Sequence, residues 1–342
     1  MTPGRVPDFD QLLTVLRCGR PDRPVPFEFI VDPVHLKVFL GDAWQEGDST
    51  EAILHNWVTG FAAAGYDYAT LPLWLLDILQ FPKPAREFER SLGMAHGGVI
   101  TDRQSLEAYP WPDPEIGDYE ILDLAASFLI PGQKIVMSGP GGVLENVTNL
   151  AGYEDLVMLL EDDPETAKEL FDNVGWRLLR FYEKVVDHPA IGAVIVNDDW
   201  GFKTQPFFRV ETMQEYVFPW KVQIVDRIHG AGKPAILHSC GNLEPLWDDI
   251  LDGIRIDAKH SFEDTILPVE DAYERFCGRM AILGGIDVNF LCSSTLGQIE
   301  TRCRSMLERS ASRGGYALGS GNSIPYYVPF ENYLAMLRVG LN

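Results

Sequence analysis

The amino-acid sequence predicts an α/β protein of the (β/α)8, or TIM-barrel, class. Short apolar runs recur along its 342 residues, and continuous runs of this kind are typical of strands buried on both faces of a parallel sheet. Amphipathic helical stretches separate the runs, as βαβ units require. Most runs end in Gly, Asp, Asn or Ser, where a strand gives way to a loop. The alternative is a doubly wound open sheet, but no G-x-G-x-x-G motif follows the first run to favour a dinucleotide fold.

The predicted strands alternate with predicted helices in chain order. Residues 50–64 have helical apolar spacing and end before Gly65, which suits the position after a helix. Residues 153–186 predict two helices, the second of which begins at Pro164 behind acidic residues. The eight strand candidates are residues 25–32, 66–73, 134–140, 191–199, 234–241, 254–260, 280–287 and 316–323. The remaining helix candidates are residues 211–231, 243–252, 295–312 and 330–340.

These elements predict a single barrel domain over residues 1–342, with an N-terminal extension over about residues 1–22. Residues 75–132 are long, irregular and rich in proline. We therefore expect them to form an insertion over the carboxyl-terminal mouth of the barrel, where substrate-covering loops lie.

The charge balance excludes several classes of partner. The chain has 28 Lys and Arg against 50 Asp and Glu, a formal net charge of −22, which repels nucleic acid and anionic membrane surfaces. No apolar run reaches the roughly 18–20 residues that a membrane-spanning helix needs, and the N-terminus has no apolar signal-peptide core. The five cysteines are odd in number and scattered, which is not a disulfide framework. We expect a cytoplasmic protein that acts on a small molecule.

His238 and Cys240 form the most specific motif at a predicted strand end. Side chains at positions i and i+2 of a strand point to the same face, so the imidazole and the thiol can converge on one ion. Zinc favours these two ligand types, and a catalytic zinc keeps three protein ligands and one open position. The pair predicts a zinc site. The alternative is a small packed cysteine beside a hydrogen-bonded core histidine.

Carboxylate, amide and ammonium groups at other strand ends are candidate catalytic residues, because barrel enzymes carry their chemistry at the carboxyl ends of the strands. Such groups act as general acids and bases or bind a cationic or hydroxylated substrate. The candidates are Asp67, Asn197, Asp198, Asp199 and Lys259. Two alternatives stay open: an aspartate of the acidic run caps the following element, or Lys259 pairs with an acidic residue at 263 or 264.

Further strand-end residues are candidate substrate-binding groups. Trp200 offers an aromatic wall for a flat ligand, although core packing is the alternative. His260 adds a cation beside Lys259. Glycines next to Ser320 and Asn322 permit close approach of the backbone. The full set is Glu28, Trp200, His260, Ser320 and Asn322.

Four motifs together resemble the uroporphyrinogen decarboxylase superfamily, which includes corrinoid-dependent methyltransferases such as the methylcobamide:coenzyme M enzymes. They are GKPAILHSCGNLEPLWDDI, IRIDAKHSFED, AILGGIDVNFL and YALGSGNSIPYYVPFENYLAM. The resemblance is close over about residues 130–342 and looser over residues 20–130. It implies a (β/α)8 barrel, in agreement with the strand count. In the methyltransferase branch, the His and Cys of H-x-C-G bind zinc together with a further Cys near the last strand.

The sequence departs from both branches at one place each. Decarboxylases carry an arginine-containing segment of the type RQAGR for their acidic substrate, whereas the matching region here is RPVPFEFIVDP, with Glu28 and Asp32. This departure argues against uroporphyrinogen decarboxylation. The methyltransferase G-C-G motif is here Gly319-Ser320-Gly321, so the third thiolate is missing. The candidates for a replacement ligand are His260, Asp199, Glu28 and Ser320.

We therefore expect a methyltransferase that moves a methyl group between a corrinoid, carried by a partner protein, and a small acceptor or donor, with zinc assistance. One alternative is a decarboxylase or related lyase of the same superfamily acting on a different substrate. The other is a barrel without catalysis that binds a corrinoid or tetrapyrrole. A homodimer is a further expectation of the resemblance.

Overall fold

A computed structural model of the protein describes residues 5–71, 78–82 and 98–342. Within these ranges, seven strands form one parallel sheet in which each strand pairs with the next strand in sequence. The strands are β1 Tyr68–Leu71, β2 Lys134–Ser138, β3 Ile191–Asn197, β4 Ala235–His238, β5 Ala258–His260, β6 Ala281–Leu283 and β7 Tyr316–Ala317. This sequential parallel order, with helices in the connections, is that of a barrel wall.

Helices occupy the connections between the strands and both ends of the described chain. The α-helices are α1 Phe9–Leu16, α2 Pro33–Leu40, α3 Thr50–Ala64, α4 Arg103–Ala108, α5 Ile121–Ser127, α6 Val143–Ala151, α7 Tyr153–Asp162, α8 Pro164–Val185, α9 Val210–Thr212, α10 Phe218–Gly230, α11 Val269–Phe276, α12 Val288–Ser293, α13 Leu296–Ser310 and α14 Phe330–Leu341. Shorter 3-10 and π-helical turns cover Gly41–Ala43, Met213–Val217, Glu244–Leu246 and Asp249–Ile254. No described helix combines the length and the apolar character that a membrane span requires.

Local sequence signals set the helix boundaries as expected. Helix α3 ends at Gly65, whose φ of 98° is the left-handed conformation that glycine adopts without strain. Helix α8 begins at Pro164, and the side chain of Asp163 accepts a hydrogen bond from the Thr166 N–H. Proline lacks the N–H that would be unpaired at this position, and an aspartate cap satisfies another. Both predictions are confirmed.

The expected eighth strand does not form as a ladder in the described residues. The first apolar run instead makes two isolated parallel bridges with the chain after β7, Pro26 to Leu318 and Val31 to Ile324. The Phe27 N–H and the Val25 carbonyl form the hydrogen bonds of the first bridge, so Pro26 lacks an N–H on the side that faces β1. On its other side, the run contacts β1 through the Tyr68 hydroxyl and the Glu28 backbone. The sheet is therefore a curled seven-stranded sheet with this segment between its edges.

The described part of the expected insertion contacts helix α8. Arg177 on α8 donates to the Pro112 carbonyl at 2.8 Å, and Arg180 on α8 forms an ion pair with Glu115 at 2.6 Å. These contacts attach residues 112–115 to α8, and the predicted position over the mouth of the sheet stays a prediction. Residues 72–77 and 83–97 lie outside the described residues, so the expectation is untested there.

The strand register brings three inward-facing positions to one level at the carboxyl end of the sheet. Asn197 is the register partner of His238, and His238 is the register partner of His260. Directly paired residues of parallel strands share a face. Polar side chains from β3, β4 and β5 therefore meet at this end.

Candidate metal centre

Asp199, His238 and Cys240 bring together one oxygen, one nitrogen and one sulfur atom. His238 ends β4, Cys240 follows it by two residues, and Asp199 follows β3 by two residues. The three ligand atoms all lie within 4.8 Å of one another, and His238 Nε2 is 3.9 Å from Cys240 Sγ. A tetrahedral zinc ion places its ligand atoms about 3.5 Å apart, because each lies about 2.0–2.3 Å from the metal. The donor set and its spacing fit a zinc ion with one open position.

The contact between His238 and His260 is compatible with the tautomer that a metal ligand needs. Its Nδ1 lies 2.9 Å from Nδ1 of His260, so Nδ1 of His238 can donate to His260 and leave Nε2 deprotonated toward the sulfur. Burial lowers the pKa of His238 to about 4. Burial, followed by the neighbouring His238, also holds the pKa of His260 well below its usual value. Both imidazoles are neutral near pH 7, and a neutral imidazole is the form that binds a metal.

Cys240 is nearly enclosed by polar neighbours. The Ser261 hydroxyl lies 3.3 Å from its sulfur and the Asn322 amide nitrogen 3.4 Å. Burial, followed by the Asp199 carboxylate, raises the pKa of the thiol to about 12. The sulfur is therefore protonated in the metal-free protein, and a bound cation has to displace that proton.

Glu145, at the start of α6, orients the β3 end of the centre. Its carboxylate accepts hydrogen bonds from the Asp199 N–H at 3.2 Å and from the Asn197 amide at 3.1 Å. Burial, followed by the charges of Asp198 and Asp199, raises its pKa to about 7. Glu145 is not among the residues predicted from the sequence. The available signal was a glutamate three residues after Gly142, which is the capping-box position of a helix that follows a strand.

Lys259 joins the ends of two strands and does not face the three ligand atoms. Its buried ammonium donates to the carbonyl oxygens of Ser239, His260 and Ser261 at 3.1, 3.2 and 2.5 Å. An ammonium group has three N–H donors, so these contacts use its full capacity. Burial lowers the pKa of Lys259 to about 8. The predicted pairing with an acidic residue is replaced by this carbonyl clamp.

Asp198 is a structural residue, which corrects its assignment to catalysis. Its carboxylate accepts hydrogen bonds from the N–H groups of Val143, Leu144 and Glu145, the first three residues of α6. It also forms a buried ion pair with Lys221 at 3.3 Å. Side chains alternate along an extended chain, so Asp198 faces the helical layer whereas Asp199 faces the centre. The alternative that one aspartate caps the next element is the correct one.

Trp200 lies apart from the three ligand atoms as well, which corrects its assignment to the substrate. The indole is fully buried, with its ring centre 5.3 Å from that of Phe218 and 5.6 Å from the Lys221 ammonium. These contacts are those of a packing residue, and its neighbour in sequence, Asp199, is the one that reaches the centre.

Glu28 and Ser320 bind each other, and neither contacts the three ligand atoms. The Glu28 carboxyl group accepts the Ser320 N–H at 2.7 Å and the Ser320 hydroxyl at 2.5 Å. Burial raises the pKa of Glu28 to about 8, so the group is mostly protonated near pH 7. The assignments of both residues to substrate binding, and their candidacy as the third metal ligand, are therefore corrected. Among the candidate replacement ligands, Asp199 is the one that joins His238 and Cys240.

Asp67 lies at the opposite end of the sheet, which corrects its assignment to catalysis. It precedes the first residue of β1, and its buried carboxylate binds Arg23 at 2.6 Å and Arg5 at 3.1 Å. The amino ends of parallel strands face away from the site of a barrel enzyme.

The predicted site residues thus fall into two groups. Those at or next to the three ligand atoms are Asn197, Asp199, His238, Cys240, Lys259, His260 and Asn322. Those that lie apart from them are Glu28, Asp67, Asp198, Trp200 and Ser320.

Comparisons with known proteins place this geometry in a family. A sequence model described as uroporphyrinogen decarboxylase (URO-D) matches residues 99–340. A uroporphyrinogen decarboxylase of Anaeromyxobacter dehalogenans (strain 2CP-C) is 26% identical over 192 residues, which make up 54% of this chain and 51% of that protein. The aligned region thus spans about half the length of that relative.

A solved structure shares the fold along almost the whole chain. A methyltransferase from Methanosarcina mazei is 15% identical, with 96% of this chain and 97% of that chain covered and a TM-score of 0.69. At this identity the likeness concerns the fold alone. It agrees with the curled parallel sheet and its surrounding helices.

Proposed function

This chain belongs to the uroporphyrinogen decarboxylase family, and from that premise we propose that it is a metal-assisted methyltransferase. In this proposal, a methyl group moves between a corrinoid, carried by a partner protein, and the heteroatom of a small molecule. The proposal includes a barrel of eight strands. It also takes zinc as the metal. We also propose that the chain acts as a homodimer.

The observation that carries the proposal is the convergence of Asp199, His238 and Cys240 within 4.8 Å. Three protein ligands of mixed N, O and S type with an open position are typical of catalytic zinc rather than structural zinc. A zinc ion held by these residues would act as a Lewis acid on the substrate heteroatom. A decarboxylation through a protonated intermediate has no use for this donor set.

The neighbouring residues position the ligands. His260 fixes the His238 ring through the Nδ1 contact, and Glu145 fixes the backbone of Asp199. Lys259 holds together the strand ends that carry Cys240 and His260. Partners of this kind preserve ligand orientation, and their loss typically lowers metal affinity about 10–100-fold. In this role Asn197, which binds Glu145, is a positioning residue rather than an acid or base.

Space for a small substrate lies beside Ser261, whose hydroxyl contacts the Cys240 sulfur, and the three ligand residues themselves do not line it. A crevice of about 110 Å³ lies beside Ser261 and Lys259, with apolar walls from Leu243, Trp247 and Phe262. An engineered apolar cavity of about 150 Å³ holds a benzene ring, so a volume of this order suits a small molecule and not a tetrapyrrole. The corrinoid would approach from outside, carried by its own protein.

The fold shared with a methyltransferase from Methanosarcina mazei supports the proposal. So does the H-x-C-G motif at the end of β4. The second candidate, decarboxylation of a substrate other than uroporphyrinogen, is favoured by the 26% identity to a uroporphyrinogen decarboxylase. The third, a corrinoid or tetrapyrrole binder without catalysis, is favoured by Ser320 at the position of the family thiolate.

The experiment is a methyl-transfer assay on the zinc-loaded protein in both directions. Methylcobalamin with 2-mercaptoethanol tests transfer to a thiol, and cob(I)alamin with simple O-methyl and N-methyl compounds tests the reverse. We expect turnover in one direction, lost in Cys240→Ala and retained in Asp67→Asn, once the latter is shown to be folded. Carbon dioxide release from a carboxylate substrate without metal would favour the lyase, and tight cobalamin binding without turnover would favour the binder.

A further inference from the structure

We propose that Ser261 is a positioning residue of the metal centre, whose hydroxyl hydrogen-bonds the Cys240 sulfur and thereby limits the charge that the thiolate gives to the metal. The inference rests on the proposed metal-assisted function and deepens it. It concerns a residue outside the ligand set, selected by its backbone conformation and its contacts.

The first observation is the contact itself. Ser261 Oγ lies 3.3 Å from Cys240 Sγ, and the serine is 4% exposed. A metal-bound cysteine is a thiolate, which accepts hydrogen bonds and donates none. The hydroxyl is therefore the donor whenever the metal is bound, and the Asn322 amide at 3.4 Å is a second donor to the same atom.

The second observation is the backbone of Ser261. Its φ is +80°, in the left-handed region that residues other than glycine rarely adopt. The residue directly follows β5, where a relaxed extended backbone would turn the side chain elsewhere. Strain of this kind persists only where surrounding contacts enforce it, and it concentrates at functional sites.

The third observation is the set of contacts that enforce the conformation. The Lys259 ammonium draws the Ser261 carbonyl to 2.5 Å and the Ser239 carbonyl to 3.1 Å. On the other side, the Phe262 N–H donates to the Gly321 carbonyl at 2.8 Å. The contacts of the Ser261 carbonyl and of the Phe262 N–H both fix the peptide unit after Ser261. The Lys259 contact with the His260 carbonyl at 3.2 Å fixes the unit before it, and the same ammonium holds the backbone of Ser239, the residue before Cys240.

The consequence concerns the electronic character of the centre. Hydrogen bonds to a thiolate stabilise its lone pairs and reduce its donation to the metal. Asp199 already contributes an oxygen where the related enzymes are expected to have a second sulfur. Both features keep positive charge on the metal, which strengthens its pull on the heteroatom of a substrate.

The test replaces zinc by Co²⁺, whose thiolate-to-metal charge-transfer band reports sulfur donation directly. In Ser261→Ala we expect this band to move to longer wavelength, because the sulfur lone pairs rise in energy when the donor is lost. We also expect the affinity for Co²⁺ to fall about tenfold, the lower end of the effect of outer partners. The matched control is Ser239→Ala, which removes a buried hydroxyl that has no hydrogen-bond partner one residue before Cys240.

A second variant separates the hydrogen bond from the strain. Ser261→Gly should shift the band as Ser261→Ala does, but it should also raise the melting temperature by about 2 °C, because glycine adopts positive φ freely. Ser261→Ala should leave the melting temperature within about 1 °C, since alanine keeps the strain.

The outcomes distinguish this inference from the proposed function. A band unmoved in Ser261→Ala, or moved equally in Ser239→Ala, overturns the inference while the metal centre stands. A wild-type protein that takes up neither Co²⁺ nor zinc overturns both. A shift confined to the two Ser261 variants supports the inference.

Discussion

The two ends of the sheet place carboxylates in opposite electrostatic settings. At the amino end, Asp67 binds two guanidinium groups, and its buried charge is fully compensated. At the carboxyl end, Asp199 accepts a backbone hydrogen bond from Cys240 at 2.8 Å and has no cation within salt-bridge distance in the described chain. Asp199 is half-buried, and a carboxylate partly withdrawn from water without a cation costs free energy. The two ends therefore differ in what balances the carboxylate charge. Arginine side chains balance it at the amino end, and we expect a bound metal cation to balance it at the carboxyl end.

Removing the compensated charge should have the largest effect on stability. In Asp67→Asn, Arg5 and Arg23 lose their buried counter-ion, which we expect to lower the free energy of unfolding by about 3–5 kcal/mol. Chemical denaturation measures this loss. Zinc content should be unchanged in the folded variant, and a variant that loses zinc while keeping its stability would contradict the division between the two ends.

The neighbouring pair Asp198 and Asp199 sharpens the comparison within one strand end. Asp198→Asn should cost about 2–3 kcal/mol of stability, because the cap of α6 weakens and Lys221 loses its partner. Asp199→Asn should cost little stability and most of the metal affinity. The measurement is denaturation and metal titration of both variants. Equal losses in both assays for the two variants would refute the assignment of separate roles.

His260 gives an intermediate effect. His260→Phe removes the partner of His238 Nδ1 while keeping a buried ring. We expect zinc affinity to fall about 10–100-fold, the effect of losing an outer partner of a ligating histidine. Competition with a chromophoric chelator measures it. Unchanged zinc affinity would show that His238 needs no orientation by its neighbour.

Glu28 gives an effect of a different kind, a dependence of stability on pH. Burial raises the pKa of Glu28 from 4.5 to about 8, so between these values the folded protein keeps a proton that the unfolded chain releases. The free energy of unfolding should therefore fall as pH rises through this window, by about 1.4 kcal/mol per pH unit. Denaturation of wild type and Glu28→Gln across the window tests this. A slope that the substitution leaves unchanged would place its origin elsewhere.

The sequence was sufficient for patterns that are local. Gly65, Pro164 and the spacing of His238 and Cys240 act over a few residues, and each predicted its structural consequence. The apolar run of residues 25–32 predicts a strand but does not show its interruption, because Pro26 belongs to the run and yet cannot donate a hydrogen bond toward β1. The alternation of apolar runs and helices predicts the order of the strands. It does not predict which strands form continuous hydrogen-bonded ladders.

The site could be predicted only in part because its partners come from distant segments. Asp198 and Asp199 are adjacent in sequence. Side chains alternate between the two faces of the extended chain, and only the structure shows which of the two aspartates faces the centre. The partners of Asp67 lie 62 and 44 residues away, and Glu145 lies 54 residues from Asp199. Ser261 is identified by a backbone angle that its residue type does not indicate.

The most direct test of the account is the metal content of the purified, untagged protein, measured by elemental mass spectrometry with and without incubation in zinc. The account predicts about one zinc per chain, lost in Asp199→Ala, His238→Ala and Cys240→Ala and retained in Asp67→Asn. A wild-type protein without metal after incubation, or zinc that survives all three ligand substitutions, would contradict it.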